Sequence, residues 1–253
     1  MIRLVASDID GTLLQGGAQQ IDARLFALID ALRAKNILFC AASGRQYESL
    51  RRLFAPVADR ILYSCENGSI VYYHDAVLAK TPLPRDQCAQ LTAQILAQPG
   101  CEVLISGANT CYVAPKSEAY FHHISEELGN NTRRIACLDD VPEEVIKISA
   151  FCDKPAAEYE AMFAPVWNHH LNVAVAGKFW LDFTLAHKGT ALAQISDALS
   201  LSARDMLAFG DNFNDIPMFR FAGDSYAMEN ADPAVKAAAA HTCSSVLQVL
   251  ETL

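Results

Sequence analysis

The sequence lacks the features that mark several large classes of protein. None of its apolar runs is long enough to cross a bilayer as a helix. Its first residues carry neither the basic stretch nor the cleavage site of a secretory signal. Eight cysteines are present, but no two are spaced as Cys-x-x-Cys, and Cys40 and Cys65 end apolar, strand-like runs. We therefore expect buried free thiols in a reducing, cytoplasmic compartment, and no membrane partner.

Basic residues are also scarce. Lys and Arg total 20 against 29 Asp and Glu, which gives a formal net charge of -9. Proteins that bind nucleic acid usually carry a basic patch, so this balance argues against a nucleic-acid partner. The sequence also has no Gly-x-Gly-x-x-Gly turn, no Walker-type phosphate loop and no internal repeat. An anionic metabolite would therefore need a local cluster of polar groups. The oligomeric state is left open.

The chain does contain ample apolar material in an alternation of strand-like and helix-like patterns. Its 253 residues are 52% hydrophobic, which is enough for one large core or two modest ones. Apolar runs predict strands at 2–6, 37–42 and 61–64, and amphipathic stretches predict a helix between each pair. This βαβαβ succession predicts an α/β fold with a parallel sheet and right-handed crossovers.

The pattern changes at Thr81-Pro82-Leu83-Pro84, where two prolines favour an extended connector. Closely spaced strands follow, and such strands must pair antiparallel. The first pattern returns with a helix that begins at Lys188 and a strand at 206–209. We expect a discontinuous core domain (1–81 and 185–253) interrupted by an inserted α/β domain (82–184) with an antiparallel sheet. The insert's predicted helices are 86–98, 117–128 and 156–163, and its predicted strands are 101–105, 110–114, 145–151, 171–176 and 179–183.

Polar clusters follow three strands of the predicted core. Asp8 and Asp10 follow the first strand, Ser43-Gly44-Arg45 the second, and the segment 211–215 the strand 206–209. Each cluster alone would be unremarkable, because such residues are common in turns. In an open parallel sheet, however, the carboxyl ends of the strands line the ligand crevice. Two carboxylates at the exit of a buried strand also repel each other unless a metal ion or a cationic side chain neutralises them, and a divalent metal is the first candidate.

Lys188 adds to this interpretation. It lies at the predicted start of a helix, where the macrodipole disfavours a cation by a few tenths of a kcal/mol or more. Either an anionic group lies close to it or it is an ordinary solvated surface lysine, and the sequence leaves both open.

Together these residues resemble the haloacid dehalogenase superfamily, specifically its Cof-type phosphatases with a type IIB α/β cap. Asp8-Ile9-Asp10-Gly11-Thr12-Leu13 is similar to the first motif, and Ser43-Gly44-Arg45 to the second, in which threonine is more usual. Lys188-Gly189 resembles the third motif and Gly210-Asp211-Asn212-Phe213-Asn214-Asp215 the fourth. The stretch 227–236 is similar to the tail that follows in the Cof type. The resemblance implies a Rossmann-like core in which the insert is the cap.

The resemblance implies a role for each acidic residue of these motifs. Asp8 would be the nucleophile that forms an aspartyl-phosphate, and Asp10 the general acid and base. The cofactor would be Mg²⁺, held by the Asp8 carboxylate, the Asp10 main-chain carbonyl and Asp211. Asp215 would either bind the ion directly or support the ligands that do.

The remaining motif residues would surround the phosphate. Ser43 and Asn214 would donate neutral hydrogen bonds, and Lys188 would balance negative charge. Backbone amides around Asp10, Gly11 and Gly44 would add donors, because glycine allows close backbone approach. The cap would close over the phosphate and select the leaving alcohol.

The leading hypothesis is thus a Mg²⁺-dependent phosphatase of small phosphorylated metabolites, with sugar phosphates as the favoured substrates. A phosphomutase or phosphotransferase on the same scaffold is one alternative, and a phosphometabolite-binding protein without turnover is another. Dehalogenase chemistry fits less well, because a second carboxylate and a metal site suit phosphoryl transfer better. Two stretches depart from the family pattern without removing a catalytic group, namely Cys65-Glu66 and Leu181-Asp182-Phe183-Thr184.

Overall fold

The computed structural model describes residues 1–108, 110–128 and 130–253. The chain divides into two compact units. Unit 1 comprises Met1–Lys80 and Ala186–Leu253, and unit 2 is the intervening Thr81–Leu185. Over the described ranges, no helix combines the length and the apolar character needed to span a bilayer.

The strands and helices alternate through much of the chain. The strands are β1 Leu4–Ser7, β2 Leu38–Ala42, β3 Leu62–Cys65, β4 Ile70–Tyr73, β5 Ala76–Lys80, β6 Cys101–Ser106, β7 Cys111–Val113, β8 Thr132–Arg134, β9 Lys147–Cys152, β10 Asn172–Gly177, β11 Trp180–Thr184, β12 Met206–Gly210, β13 Asp224–Met228 and β14 His241–Cys243. The helices are α1 Ala23–Ala34, α2 Tyr47–Leu53, α3 Arg85–Ala97, α4 Glu118–His122, α5 Ala156–Trp167, α6 Lys188–Leu199, α7 Ile216–Phe221, α8 Pro233–Ala238 and α9 Val246–Leu250.

Unit 1 is built on an eight-stranded sheet in the order β14-β13-β12-β1-β2-β3-β4-β5. The pairs from β14 to β3 are parallel. β1 lies in the middle and its apolar residues are fully buried, as expected for a central strand covered on both faces. Leu192 and Ile195 of α6 pack in the same core as Leu4 and Ala6 of β1. The predicted Rossmann-like parallel core is therefore confirmed.

The edge of this sheet departs from the predicted pattern. β4 pairs antiparallel with β3, and β5 antiparallel with β4. The turn between β4 and β5 places His74 and Asp75 at φ 51° and 59°. Tight hairpin turns of this left-handed kind are normally signalled by glycine or Asn-Gly. Because this turn has neither, the hairpin left no clear signal in the sequence.

Unit 2 contains a six-stranded sheet in the order β10-β11-β9-β6-β7-β8, antiparallel except for the β7–β8 pair. One face packs against α3 and α5 through residues such as Leu91 and Phe163, and a smaller cluster includes Tyr120 of α4. The predicted second, antiparallel sheet is therefore confirmed. α5 continues past the predicted end of its helix, through Pro165 to Trp167.

The eight cysteines are free thiols in the structure. Six are buried, Cys137 is exposed and Cys243 is half-buried. Cys101 and Cys152 face each other across β6 and β9 with their sulfur atoms 3.9 Å apart.

Candidate active site

The strand order of unit 1 determines which loops meet around Asp8. β1 lies between β12 and β2, and all three run parallel. The loops that follow them therefore emerge at one edge of the sheet. The backbone N–H of Asp8 donates to the carbonyl of Phe209 at 2.9 Å, which holds the first motif beside the fourth. Asp8 is thus placed at the centre of the carboxyl edge.

Lys188 is the cation that this position needs. It is the first residue of α6, and its side chain is fully buried. Its Nζ donates to Asp8 Oδ1 at 2.5 Å and to Asp215 Oδ1 at 2.6 Å. Burial alone would lower the pKa of Lys188, but the charges of Asp215 and Asp8 outweigh it and hold that pKa above its usual value. Of the two interpretations that the sequence left open, the structure shows the anionic neighbours.

Asp8 has a strongly perturbed carboxyl group. Burial raises its pKa from 3.8 to about 7, Lys188 opposes this shift, and the nearby charge of Asp215 adds to it. Its Oδ1 accepts from Lys188, whereas its Oδ2 is buried with no hydrogen-bond partner. A buried carboxylate oxygen without a partner costs free energy, so the site is incomplete without a further positive or hydrogen-bonding group.

Asp211 brings a further carboxylate to this place. Oxygens of Asp8, Asp211 and Asp215 lie within 4.8 Å of one another. Thr12 Oγ1 donates to Asp211 Oδ1 at 2.9 Å. Burial raises the pKa of Asp211, the Thr12 hydrogen bond opposes this, and the charge of Asp215 adds to it. When ionised, three carboxylates beside the one ammonium group of Lys188 leave an excess of negative charge, which fits a divalent cation.

Asp215 plays a different part from Asp211 in this cluster. It is fully buried, and both of its oxygens accept hydrogen bonds. Oδ1 accepts from Lys188, and Oδ2 accepts from the backbone N–H groups of Asp211 and Asn212 at 2.9 and 3.0 Å. Asp215 therefore fixes the ammonium group and the loop that carries Asp211.

Gly11 lets the first and fourth motifs approach each other. Its φ is +93°, and a Cβ at this position would clash with the carboxylate of Asp211. Its backbone N–H donates to the carbonyl of Leu14 at 3.0 Å. In this conformation the amide is already used, so the contribution of Gly11 is close backbone approach rather than a free donor.

Asp10 lies outside the buried cluster. Its side chain is 55% exposed, and both of its oxygens accept from Arg45, at 2.9 Å from Nε and 2.6 Å from the terminal nitrogen. Such a two-point pair fixes the orientation of a carboxylate, although an exposed ion pair adds little stability. The first two motifs are therefore joined at the surface by Arg45.

The candidate phosphate donors lie on the neighbouring loops. Ser43 follows β2, and its Oγ accepts from the N–H of Arg45 at 3.2 Å, which leaves its hydroxyl hydrogen available. Asn214 donates through Nδ2 to Asn67 Oδ1 at 3.1 Å. A Cβ on Gly44 would come within 3.2 Å of the same Asn67 amide. Ser43 and Gly44 thus share one loop, and Asn67 connects that loop to Asn214.

Three residues of this site were not assigned a role from the sequence: Thr12, Arg45 and Asn67. Thr12 and Arg45 belong to the quoted motifs, so their position was available, but nothing in the sequence identified their partners. Asn67 follows β3, and the only sequence signal was that Asn67-Gly68 ends an apolar run.

Comparison with known proteins identifies the family. The model of the haloacid dehalogenase-like hydrolases matches residues 5–248. The chain belongs to this family. The matched range includes most of both segments of unit 1 and all of unit 2, so the family resemblance of the motifs is confirmed.

Individual relatives in this family agree with the assignment. The chain is 28% identical over 247 residues to the 5-amino-6-(5-phospho-D-ribitylamino)uracil phosphatase YbjI of Escherichia coli, covering 96% of this chain and 91% of that protein. A crystal structure from Eubacterium rectale has a TM-score of 0.88 and 33% identity, covering 99% of this chain and 98% of its own. The HAD subclass IIB sugar phosphatase BT4131 has a TM-score of 0.80, with coverage of 99% and 98%, and at 20% identity it shows the fold alone. The predicted fold and enzyme class, a phosphatase of this family, are confirmed.

Proposed function

We propose that this protein hydrolyses small phosphomonoesters in the cytoplasm, in a Mg²⁺-dependent reaction that passes through an aspartyl-phosphate. The observation that carries the proposal is the state of Asp8. Asp8 is buried, and one of its oxygens accepts a hydrogen bond from Lys188. Its other oxygen has no hydrogen-bond partner, and the Asp211 carboxylate lies close by. A fixed carboxylate with a free oxygen in a charge-stabilised pocket is suited to attack phosphorus.

In the first step, an Asp8 carboxylate oxygen attacks the phosphorus and the bond from phosphorus to the alcohol oxygen breaks. Asp10 gives its proton to the departing alcohol. In the present conformation both Asp10 oxygens accept hydrogen bonds from Arg45. Proton donation therefore requires Arg45 to release at least one of them when substrate binds.

In the second step, a water molecule attacks the phosphorus of the aspartyl-phosphate. Asp10, now a carboxylate, takes a proton from this water, and the bond between phosphorus and Asp8 breaks. Inorganic phosphate leaves and Asp8 is restored. Lys188 remains beside Asp8 throughout, where its charge offsets the negative charge of the phosphoryl oxygens.

The donor set fits Mg²⁺. Hard oxygen ligands and an unpartnered buried carboxylate oxygen are what such an ion requires. Asp8 and Asp211 would hold it together with the Asp10 main-chain carbonyl, and Asp215 would act through the loop that it fixes or through a water. When bound, the ion neutralises charge on the phosphoryl group and on the three carboxylates.

The proposed phosphate-binding groups follow β2 and β12 or, for Lys188, begin α6. We assign hydrogen-bond donation to Ser43, the Gly44 amide and Asn214, and charge pairing to Lys188. Gly11 contributes by letting the backbone approach closely, because its amide is bound to Leu14. These donors surround the phosphoryl oxygens in a reaction that depends mainly on positioning and charge.

Sugar or polyol phosphates are the proposed substrates. The names of YbjI and BT4131 indicate a ribityl phosphate and sugar phosphates for those two proteins. Both kinds of substrate are hydroxyl-rich alcohols esterified to phosphate. We assign the choice of alcohol to unit 2, in keeping with the expected cap.

The test is phosphate release from p-nitrophenyl phosphate and from a panel of sugar phosphates by the purified full chain. We expect turnover with Mg²⁺, none with EDTA, and loss by at least about three orders of magnitude in Asp8→Asn. Asp59→Asn, which changes an exposed carboxylate of unit 1, is the matched control and should match the wild type.

Three outcomes would contradict the proposal. Near-wild-type turnover of Asp8→Asn would show that Asp8 is not the nucleophile. An isomeric sugar phosphate formed without free phosphate would indicate a phosphomutase. Tight binding of phosphate esters with no turnover across the panel would indicate a binding protein.

A further inference from the structure

The loop that follows β3 has an unusual backbone. Glu66, Asn67 and Gly68 have φ of 50°, 55° and 94° in succession. Glycine adopts this left-handed conformation freely and asparagine tolerates it, but for Glu66 it costs about 1–2 kcal/mol. Such strain persists only where the surroundings hold it in place, and it is concentrated at functional sites.

Two backbone hydrogen bonds tie this loop to the second motif. The N–H of Asn67 donates to the carbonyl of Ser43 at 3.0 Å, and the N–H of Glu66 donates to the carbonyl of Arg45 at 3.2 Å. On the other side, a Cβ on Gly68 would clash with the carbonyl of His187, the residue before Lys188. The loop therefore contacts the segments that carry the second and third motifs.

The Asn67 side chain adds a link to the fourth motif. Its Oδ1 accepts from Asn214 Nδ2 at 3.1 Å, and its amide lies against Gly44. The Asn214 amide nitrogen has two hydrogens. The bond to Asn67 uses one of them and leaves the other for a ligand. The terminal torsion of asparagine is broad, so Asn214 would turn freely without such a partner.

We propose that Asn67 is a positioning residue for phosphoryl transfer: it orients the Asn214 amide and supports the Ser43-Gly44 backbone at the phosphate site. The inference rests on the proposed function, in which Asn214 and Gly44 contact the phosphoryl oxygens. Donors aimed in advance at those oxygens stabilise the transition state, whereas donors that must first be oriented contribute less.

A backbone role and a side-chain role can be separated at this position. Glycine adopts a φ near 55° without strain, so Asn67→Gly keeps the loop conformation and removes only the amide. Asn36 provides the matched control, because it has φ 60° and is exposed in the turn after α1. Asn36→Gly therefore makes the same backbone change away from the site.

The experiment measures kcat and KM for p-nitrophenyl phosphate with Mg²⁺, the inhibition constant of inorganic phosphate, and the thermal midpoint. We expect Asn67→Gly to lower kcat/KM by roughly 10- to 100-fold, the scale of a small misplacement of a catalytic group. It should weaken inhibition by phosphate and leave the thermal midpoint at or above that of the wild type. Asn36→Gly should leave all the kinetic constants unchanged.

A double-mutant cycle with Asn214→Ala tests whether Asn67 acts through Asn214. If it does, Asn67→Gly should cost much less kcat/KM in the Asn214→Ala background than in the wild type. Two results would overturn the inference in an enzyme whose wild type is an active phosphatase. One is a double variant whose loss of kcat/KM equals the product of the two single losses. The other is an Asn67→Gly enzyme whose kcat/KM lies within about twofold of the wild type. A wild type without phosphatase activity would instead overturn the proposed function.

Discussion

At the scale of single residues, the negative charge of Asp8 fits its buried surroundings poorly without a metal. Its pKa is raised from 3.8 to about 7, chiefly by burial. The folded protein therefore binds more protons at Asp8 than the unfolded chain does between these values. The stability that this carboxyl contributes is complete below 3.8 and is lost as the pH rises through about 7.

Asp8→Asn should remove this pH-dependent loss of stability. In EDTA at about pH 8, we expect the thermal midpoint of Asp8→Asn to exceed that of the wild type by several degrees, and at about pH 5 the gap should shrink. Mg²⁺ should raise the midpoint of the wild type more than that of the variant, because the variant lacks one of the proposed ligands. Thermal unfolding over a pH series measures both effects. Identical pH dependence in the two proteins would show that Asp8 is not perturbed in this way.

Asp10 is exposed and held by Arg45, and its proposed role in proton transfer has a distinctive kinetic consequence. Removing a general acid should matter little when the leaving group is already stable as an anion, as nitrophenolate is, and much more for an alkyl alcohol. Asp10→Asn should therefore lower kcat/KM for a sugar phosphate by about 10²- to 10⁴-fold and for p-nitrophenyl phosphate by clearly less. Asp8→Asn, as the comparison, should reduce both equally. Equal losses in Asp10→Asn would contradict the assignment of a general acid.

At the scale of structural elements, the site is formed by loops that leave neighbouring parallel strands, so its accuracy depends on how closely the loops approach. Gly11 has φ +93° and its α-carbon faces the Asp211 carboxylate, whereas Gly16 has φ +61° with open space around it. Gly11→Ala should therefore lower kcat/KM by about 100-fold or more and abolish stabilisation by Mg²⁺. Gly16→Ala bears only the backbone strain and should retain activity. Kinetics and thermal unfolding with and without Mg²⁺ compare them, and similar losses in both variants would mean that strain alone explains the effect.

The same elements show what the sequence could predict. Asp8, Ser43 and Asp211 were placed at one edge of the sheet because each follows an apolar run, and parallel strands place such ends together. The position of Lys188 at a helix start left two possibilities, an anionic neighbour or a solvated surface lysine, and the structure decides between them by pairing it with Asp8 and Asp215. These inferences rely on chain periodicity, which is local information.

Features that depend on side-chain pairing could not be predicted in this way. Nothing local shows that Arg45 binds Asp10, or that Asn67 binds Asn214, because each contact requires the packed sheet to exist first. The β4–β5 hairpin was missed for the related reason that its turn uses His74 and Asp75 where glycine would have been a signal.

At the scale of the whole molecule, each of the two units has its own apolar core. The cluster around Phe163 and Phe183 lies within unit 2, and the cluster around Leu4 and Ile195 lies within unit 1. The candidate metal ligands Asp8, Asp211 and Asp215 all belong to unit 1. A ligand that binds only the folded form of one unit stabilises that unit directly. Mg²⁺ should therefore act first on unit 1.

The two tryptophans of the chain, Trp167 and Trp180, both lie in unit 2, so tryptophan fluorescence reports the unfolding of that unit, while far-ultraviolet circular dichroism reports both. Phe163→Ala removes a fully buried ring that packs 5.5 Å from Phe183, and such truncations cost about 3–5 kcal/mol. Phe163→Ala should lower the midpoint of the fluorescence transition markedly. It should leave unchanged the midpoint of the part of the dichroism transition that Mg²⁺ shifts. Ile195→Ala removes a buried side chain of unit 1. It should leave the fluorescence midpoint unchanged and lower the midpoint of the dichroism change that responds to Mg²⁺. If both probes give the same midpoint in the wild type, in Phe163→Ala and in Ile195→Ala, the chain instead unfolds as a single cooperative unit.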